Sequence, residues 1–322
     1  MAPRFQRILV AGGDGFIGRH LCHRLEGRGI EVLVVDDHST SCALPPKMRQ
    51  TIEQDVSTLS LAGLPRFDAV VHLASPAAPH LFCKDPLAVI RPNTLGTSRL
   101  LELAQRDGCR MLYASTSEVY GHAEPGTALR EDQLVTHPLL SGRSVYGAAK
   151  RLGEELVHAA RSAGVDAASV RLFNVYGPGM DPTMGSYARV IPNFLRAAIQ
   201  GRPLPIEGNG EQVRSFTWID DIVEGVVRLL LSDGVLPSAV NLGRDEPIAI
   251  RDLAALVERL LGVQIGREPR ARSSDDTNWR RPDLQLLAAT LHWTPTVSLS
   301  EGLSRLIAAE RAASPQGSTA CL

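Results

Sequence analysis

The chain has 322 residues, 44% of them hydrophobic, and a formal net charge of -1. That length suits one large α/β unit or two lobes. The near-neutral balance excludes nucleic acid or an acidic membrane surface as the main partner, because both demand a basic excess.

Five cysteines stand at 22, 42, 83, 109 and 321. They are odd in number, scattered, and form no CxxC pair, so neither a disulfide framework nor a metal site is expected. Reduced thiols and a cytoplasmic location are the expectation. No apolar run reaches bilayer-spanning length, and "MAPRFQRILVAGG" lacks a signal-peptide core.

In chain order, "RILVAGG" reads as a buried strand ending in glycines. "FIGRHLCHRLEGRG" has helical spacing, with Ile17, Leu21 and Leu25 on one face and Gly27 and Gly29 closing it. "EVLVVDD" and "FDAVVHLAS" read as further strands. "PLAVIRPNTLGTSRLLELAQRDG" reads as a long helix that Pro92 bends or starts. "CRMLYASTSEVYG" is a strand running into a loop, then comes a helix from Tyr146, then the strand "AASVRLFNVYG". This alternation predicts a doubly wound parallel sheet with helices on both faces.

After Tyr176 the texture changes to the Gly/Pro-rich "GPGMDPTMGSYARV" and then to pieces without clean alternation. The expected division is a dinucleotide domain over 1–176, a smaller α/β substrate lobe over 177–311 and a flexible tail over 312–322. A segment around 211–245 is expected to return to the first domain. Ligands of open α/β sheets bind at the carboxyl edge, which this lobe would cover.

"LVAGGDGFIG" places Gly12, Gly15 and Gly18 between a strand and a helix. Small residues there allow a tight turn, close approach of pyrophosphate and helix–sheet packing. The helix start then offers free N–H groups to the phosphates. Asp36 ends the second long strand, 18 residues after Gly18, where an acid accepts bonds from ribose hydroxyls and repels a 2′-phosphate. NAD rather than NADP is therefore the expected cofactor. Asp37 can share that task, and Asp55 is expected near the adenine amino group. Asp14, inside the turn, is expected to point to solvent, since a carboxylate beside pyrophosphate is unfavourable.

"YGAAKRLGE" sets Tyr146 and Lys150 four apart, one turn along a helix face. A free phenol titrates near pH ~10. A neighbouring ammonium and a positive nicotinamide ring both favour phenolate. Such a tyrosine can take the proton of a sugar hydroxyl while hydride leaves the same carbon.

The glycine turn, "HLAS", "STSEVYG" and Tyr-x-x-x-Lys occur in the order and spacing of the extended short-chain dehydrogenase/reductases, which the chain resembles along nearly its whole length. Within them it is most similar to the nucleotide-sugar enzymes, and nearest to the UDP-glucuronate decarboxylases (UDP-xylose synthases). "HLASPAAP" with "DPLAVIRPNTLGT", "ASTSEVYG", "RVIPNFLRAAIQGRPLPIEGNGEQVRSFTWIDDIVEG" and "DDTNWRRPDL" carry that likeness.

The resemblance implies a Rossmann-type fold, NAD, a nucleotide-sugar substrate and a homodimer built on two helices per subunit. It adds Phe16, Ile17, Leu73 and Ala74 to the cofactor site and Ser75 to the substrate site. Thr116 would hold the reacting C4 hydroxyl. Glu118 marks enzymes whose chemistry goes beyond C4 oxidation. Asn174, Asn193 and Arg214 would hold the diphosphate or sugar, and Arg281, with Arg280 as substitute, would lie near the diphosphate and the sugar carboxylate.

The implied reaction is C4 oxidation, loss of CO2 from the resulting β-keto acid, and reduction to UDP-xylose. Two features depart from the decarboxylase pattern: "YGAAK" is nearer to epimerases and dehydratases, and Gly179 stands where an arginine is usual. A UDP-sugar 4-epimerase, an NDP-sugar dehydratase and, in a different class, a catalytically silent dinucleotide-binding protein therefore remain alternatives.

Overall fold

The structure, a computed structural model, describes residues 5–39, 49–77, 82, 84–133, 144–180, 190–272 and 276–313. Its centre is a buried strand, β1 (Arg7–Ala11). On one side β1 pairs with β2 (Glu31–Asp36), which pairs with β3 (Thr51–Glu53). On the other side lie β4 (Ala69–His72), β5 (Arg110–Thr116) and β6 (Ala167–Leu172). All of these pairings are parallel, and the apolar runs Val32–Val35 and Val70–Val71 are buried, as a sheet covered on both faces requires. The strand order reverses between β1 and β4, which opens a crevice at their carboxyl ends.

Helix α1 (Phe16–Glu26) follows β1 and buries Leu21, Cys22 and Leu25. The expected long helix is divided. α2 (Pro86–Arg91) passes into a π-helical turn over Pro92–Gly96, and α3 (Thr97–Asp107) resumes. Proline removes a backbone donor and crowds the preceding turn, and the extra residue of a π-turn absorbs both effects. The side chains of Asn93 and Thr94 then bond back to the carbonyls of Val89 and Ile90 at 2.7 and 2.9 Å. α4 (Ser144–Ser162) carries Tyr146 and Lys150 on its buried face.

After β7 (Val175–Tyr176) come α5 (Val190–Ile199) and β8 (Leu204–Glu207). β9 (Val213–Ser215) lies outside the large sheet, and β10 (Thr217–Trp218) pairs with β7. α6 (Ile219–Leu231) and β11 (Ala239–Leu242) return to the large sheet, where β11 becomes its seventh strand beside β6. β12 (Pro247–Ala249), α7 (Ile250–Leu261), β13 (Arg267–Arg270) and β14 (Trp279–Arg280) follow. β9 lies between β12 and β14, and β13 pairs with β8.

The chain ends with α8 (Gln285–Leu291) and α9 (Leu299–Ala313). Ala312 and Ala313 are therefore helical rather than part of a tail, and the rest of the expected tail, with Cys42, Cys83, Cys321 and residues 181–189, lies outside the described residues. Cys22 and Cys109 are buried free thiols. Among the described residues no helix is long and apolar enough to cross a membrane.

Candidate active site

The turn from β1 to α1 sits hard against the end of β4. Gly12 has φ +79, and a Cβ there would lie 2.5 Å from Ala74 N and 2.6 Å from Leu73 C. A Cβ on Gly18 would lie 2.1 Å from Gly12 O, so helix and turn touch backbone to backbone. Gly15 differs: a Cβ there meets nothing nearer than 3.4 Å. It begins α1 with no side-chain cap among the described residues. The turn thus leaves open backbone donors above a glycine, a shape that fits the pyrophosphate of a dinucleotide. Phe16 and Ile17 form the first turn of α1, and Leu73 and Ala74 follow β4 beside Gly12.

Asp36 ends β2 at 8% exposure. Its Oδ2 accepts the N–H of Asp14 and its Oδ1 accepts the N–H of His38, both at 2.9 Å. Burial pushes the Asp36 carboxyl up, and the two N–H groups oppose that shift. Asp14 does not stand free in solvent. Its side chain is 19% exposed, and Oδ2 lies 3.0 Å from His38 Nε2. Asp37 turns to Ser39, accepting from both its N–H and its hydroxyl. Asp55 caps a short 3-10 turn by accepting the N–H of Ser57 at 2.7 Å, which gives it a local structural task.

Tyr146 and Lys150 share a face of α4, packed toward the end of β5. The Tyr146 ring stacks on Phe82, centroids 4.7 Å apart and planes 5° from parallel. Lys150 Nζ lies 5.8 Å from the Tyr146 ring centroid and donates to Ala114 O at 2.6 Å. At 3% exposure, burial pushes Lys150 down to about 7, opposed by the charge of Glu154 one turn later. Glu154 is held in turn by Arg171, at 2.9 and 2.7 Å, and by the hydroxyl of Ser115. His72 lies beneath this cluster, its Nε2 against Pro92 O at 3.0 Å. Burial first, and the Lys150 charge second, lower it to about 3, so it stays neutral.

Thr116 closes β5 and caps the turn Ser117–Tyr120, accepting the N–H of Glu118 at 3.2 Å. Glu118 Oε2 accepts from Arg280 Nη2 at 2.8 Å. Arg280, 4% exposed, also reaches the hydroxyl of Ser117 at 3.4 Å, and its buried Nε has no hydrogen-bond partner among the described residues. Arg281 is not at this place. Its guanidinium pairs with Asp245 at 2.5 and 2.9 Å on the surface. Successive residues of a strand face opposite ways, so β14 sends one arginine inward and its neighbour outward. The segment is pinned by Leu129, which donates to Arg281 O and accepts from Asp283 N.

Ser75 accepts from the buried amide of Asn93 at 2.9 Å. Asn174, held at φ +32, donates to Ser215 O at 2.9 Å. Arg214, on β9, is bound by Asp276 Oδ1 at 2.7 Å and Thr277 O at 2.8 Å. Asn193 lies on α5, half-buried. Sequence reasoning passed over Phe82, Arg171, His38 and the inward position of Arg280. Glu154 alone had a local signal, since it continues the four-residue spacing of Tyr146 and Lys150.

The family model described as the NAD dependent epimerase/dehydratase family matches residues 8–243. A UDP-glucuronic acid decarboxylase 1 of Xenopus tropicalis is 36% identical over 309 residues, covering 94% of this chain and 71% of that protein. A UDP-glucuronic acid decarboxylase 1 of Arabidopsis thaliana is 37% identical over 313 residues, covering 94% and 69%. Among solved structures, the UDP-glucuronic acid 4-epimerase of Bacillus cereus in complex with UDP-glucuronic acid and NAD matches with a TM-score of 0.85. It is 28% identical and covers 95% of this chain and 99% of its own. The glycine cradle and Asp36 fit the cofactor in that family's description, NAD. With a match across most of its length and a cradle of the right shape, the chain belongs to the NAD dependent epimerase/dehydratase family of extended short-chain dehydrogenase/reductases.

Proposed function

We propose that the protein converts a UDP-linked glucuronate to the corresponding UDP-xylose by transient oxidation at C4 and loss of CO2. The carrying observation is the Glu118–Arg280 pair beside Thr116. Reversible C4 oxidation alone needs a base and a hydride acceptor. A buried guanidinium with an acid beside the same strand end suits a substrate that bears a carboxylate and must later gain a proton at C5. The likeness to the decarboxylases supports the same reading.

The glycines of the turn, Asp36 and Lys150 would hold NAD, which supplies a hydride acceptor and afterwards a donor. Tyr146 takes the C4 hydroxyl proton while Thr116 fixes that oxygen. The C5 carboxylate is then β to a carbonyl. Its C5–C6 bond breaks, CO2 departs, and the electron pair remains as an enolate, which takes a proton at C5 from water, with Glu118 and Arg280 steering that delivery. Return of the proton from Tyr146 restores the hydroxyl, with no net redox change. Asn174, at the end of the first domain, and Asn193 and Arg214, from the 177–311 lobe, would hold the diphosphate, and closure of that lobe keeps the ketone from water. Arg281 has no part in this scheme.

UDP-glucuronate 4-epimerisation is the second reading, and one observation favours it. Gly179 has φ +82, a conformation that an arginine there would adopt only with strain. Incubation with UDP-glucuronate and NAD, followed by mass spectrometry, decides. Loss of CO2 supports the first reading, an unchanged mass with an inverted C4 the second, and loss of water a dehydratase.

The protein works in the cytoplasm as a homodimer in this reading. Leu87, Leu95 and Leu152, on α2, the π-turn and α4, are exposed apolar side chains and support a second copy there. Sedimentation giving one subunit's mass would sink that part.

A further inference from the structure

Asp14 sits where a dinucleotide site should tolerate a carboxylate least. It lies between Gly13 and Gly15, immediately before the uncapped start of α1. A negative charge there opposes the pyrophosphate that the cradle is shaped to take. The structure supplies a counter-charge from 24 residues away: His38 Nε2 lies 3.0 Å from Asp14 Oδ2.

The arrangement is held from both ends. Asp36 Oδ2 fixes the backbone of Asp14, and Asp36 Oδ1 fixes the backbone of His38, each at 2.9 Å. His38 also adopts φ +55, a left-handed conformation that costs a non-glycine residue energy and needs compensation. The acids facing the imidazole come from three elements: Asp14 from the turn, Asp36 from β2 and Glu53 from β3. Asp37, its chain neighbour, is occupied by Ser39. The three facing acids share one histidine, and they hold it above its ordinary 6.5, the hydrogen bond with Asp14 being the largest cause.

We propose that His38 is the charge-balancing residue of the dinucleotide site, its imidazolium holding the Asp14 carboxylate so that the pyrophosphate of NAD can approach the start of α1. The proposal rests on NAD as the cofactor. It makes cofactor affinity depend on pH through a residue that touches no reacting atom. Below its raised pKa the imidazolium balances Asp14. As pH climbs through that value the balance is lost, and NAD binding weakens.

The test is calorimetric titration of NAD, and separately of ADP-ribose, into protein stripped of dinucleotide, from about pH 6 to about pH 9. His38→Asn is the informative variant, because asparagine tolerates the left-handed conformation but cannot carry charge. It should weaken both ligands about tenfold at the lower pH, and Asp14→Ala in the same chain should restore affinity to within about twofold. Asp14→Ala alone should bind at least as tightly as wild type and lose the pH dependence, which keeps the idea testable should His38→Asn unfold. Unchanged affinity in His38→Asn overturns the proposal. So does a double variant as weak as His38→Asn, because His38 would then matter only through its backbone. Wild-type protein that binds neither ligand removes the cofactor assignment itself, and this proposal with it.

Discussion

Arg280 and Glu118 stand 162 positions apart in the chain and 2.8 Å apart in the fold. They are unequally buried: the Arg280 side chain is 4% exposed, that of Glu118 31%. The inequality sets the cost of removing either partner. Glu118→Ala leaves a guanidinium buried without its counter-charge, at about 3 kcal/mol of stability. Arg280→Met leaves a carboxylate that water still reaches, at about 1 kcal/mol. Both variants should lose turnover with UDP-glucuronate. Urea denaturation that ranks Arg280→Met as the less stable would overturn the burial argument.

Tyr146→Phe should retain the fold and the ligands. The ring keeps its stack on Phe82, and only the hydroxyl is lost. Turnover should fall about a thousandfold, the usual worth of a positioned proton acceptor. Calorimetry should still register NAD and UDP-sugar binding. A silent dinucleotide-binding protein would have no turnover to lose.

The two glycines of the turn should fail differently. Gly12→Ala sets a Cβ 2.5 Å from Ala74 N at a left-handed position, so the fold and NAD affinity suffer together. Gly15→Ala finds no atom nearer than 3.4 Å. It should melt near the wild-type temperature yet bind NAD poorly, because its methyl occupies the approach of the phosphates. Equal NAD affinity in Gly15→Ala and wild type would mean that the cradle lies elsewhere.

The sheet was legible because parallel strands buried on both faces must be apolar, and "ILVA" and "VLVV" within β1 and β2 are wholly so. The cradle and the Tyr146–Lys150 pair were legible for a related reason: each is local, set by spacings of three or four residues. Arg280 was not. Strand alternation says that two adjacent arginines part company, but which of them turns inward depends on β9 and the Leu129 bridge. Asp14 was misread for the same cause. Its partner lies across a strand, and no local pattern announces a histidine brought back by Asp36.

Lys150 should leave a signature in stability as well as in catalysis. Unfolded, its ammonium titrates near 10.5; folded and without cofactor, burial brings it to about 7. Between those values the unfolded chain holds a proton that the folded chain has released, so stability rises with pH. The slope approaches about 1.4 kcal/mol per pH unit, or about 2 kcal/mol from pH ~7 to pH ~9. Other groups cut the window short. Cys22 and Cys109 are pushed up from 9.0 to about 12 by burial, and above pH ~9 they reverse the trend. His72, already neutral near pH 7, adds nothing there. Lys150→Met removes the titrating group and keeps an apolar stem of similar length. The difference between wild type and variant, measured by urea denaturation of cofactor-free protein at several pH values, isolates the lysine. Wild type should gain on the variant by about 2 kcal/mol across the window. A flat difference would mean that the ammonium stays charged in the fold, held by Ala114 O and the nearby Glu154.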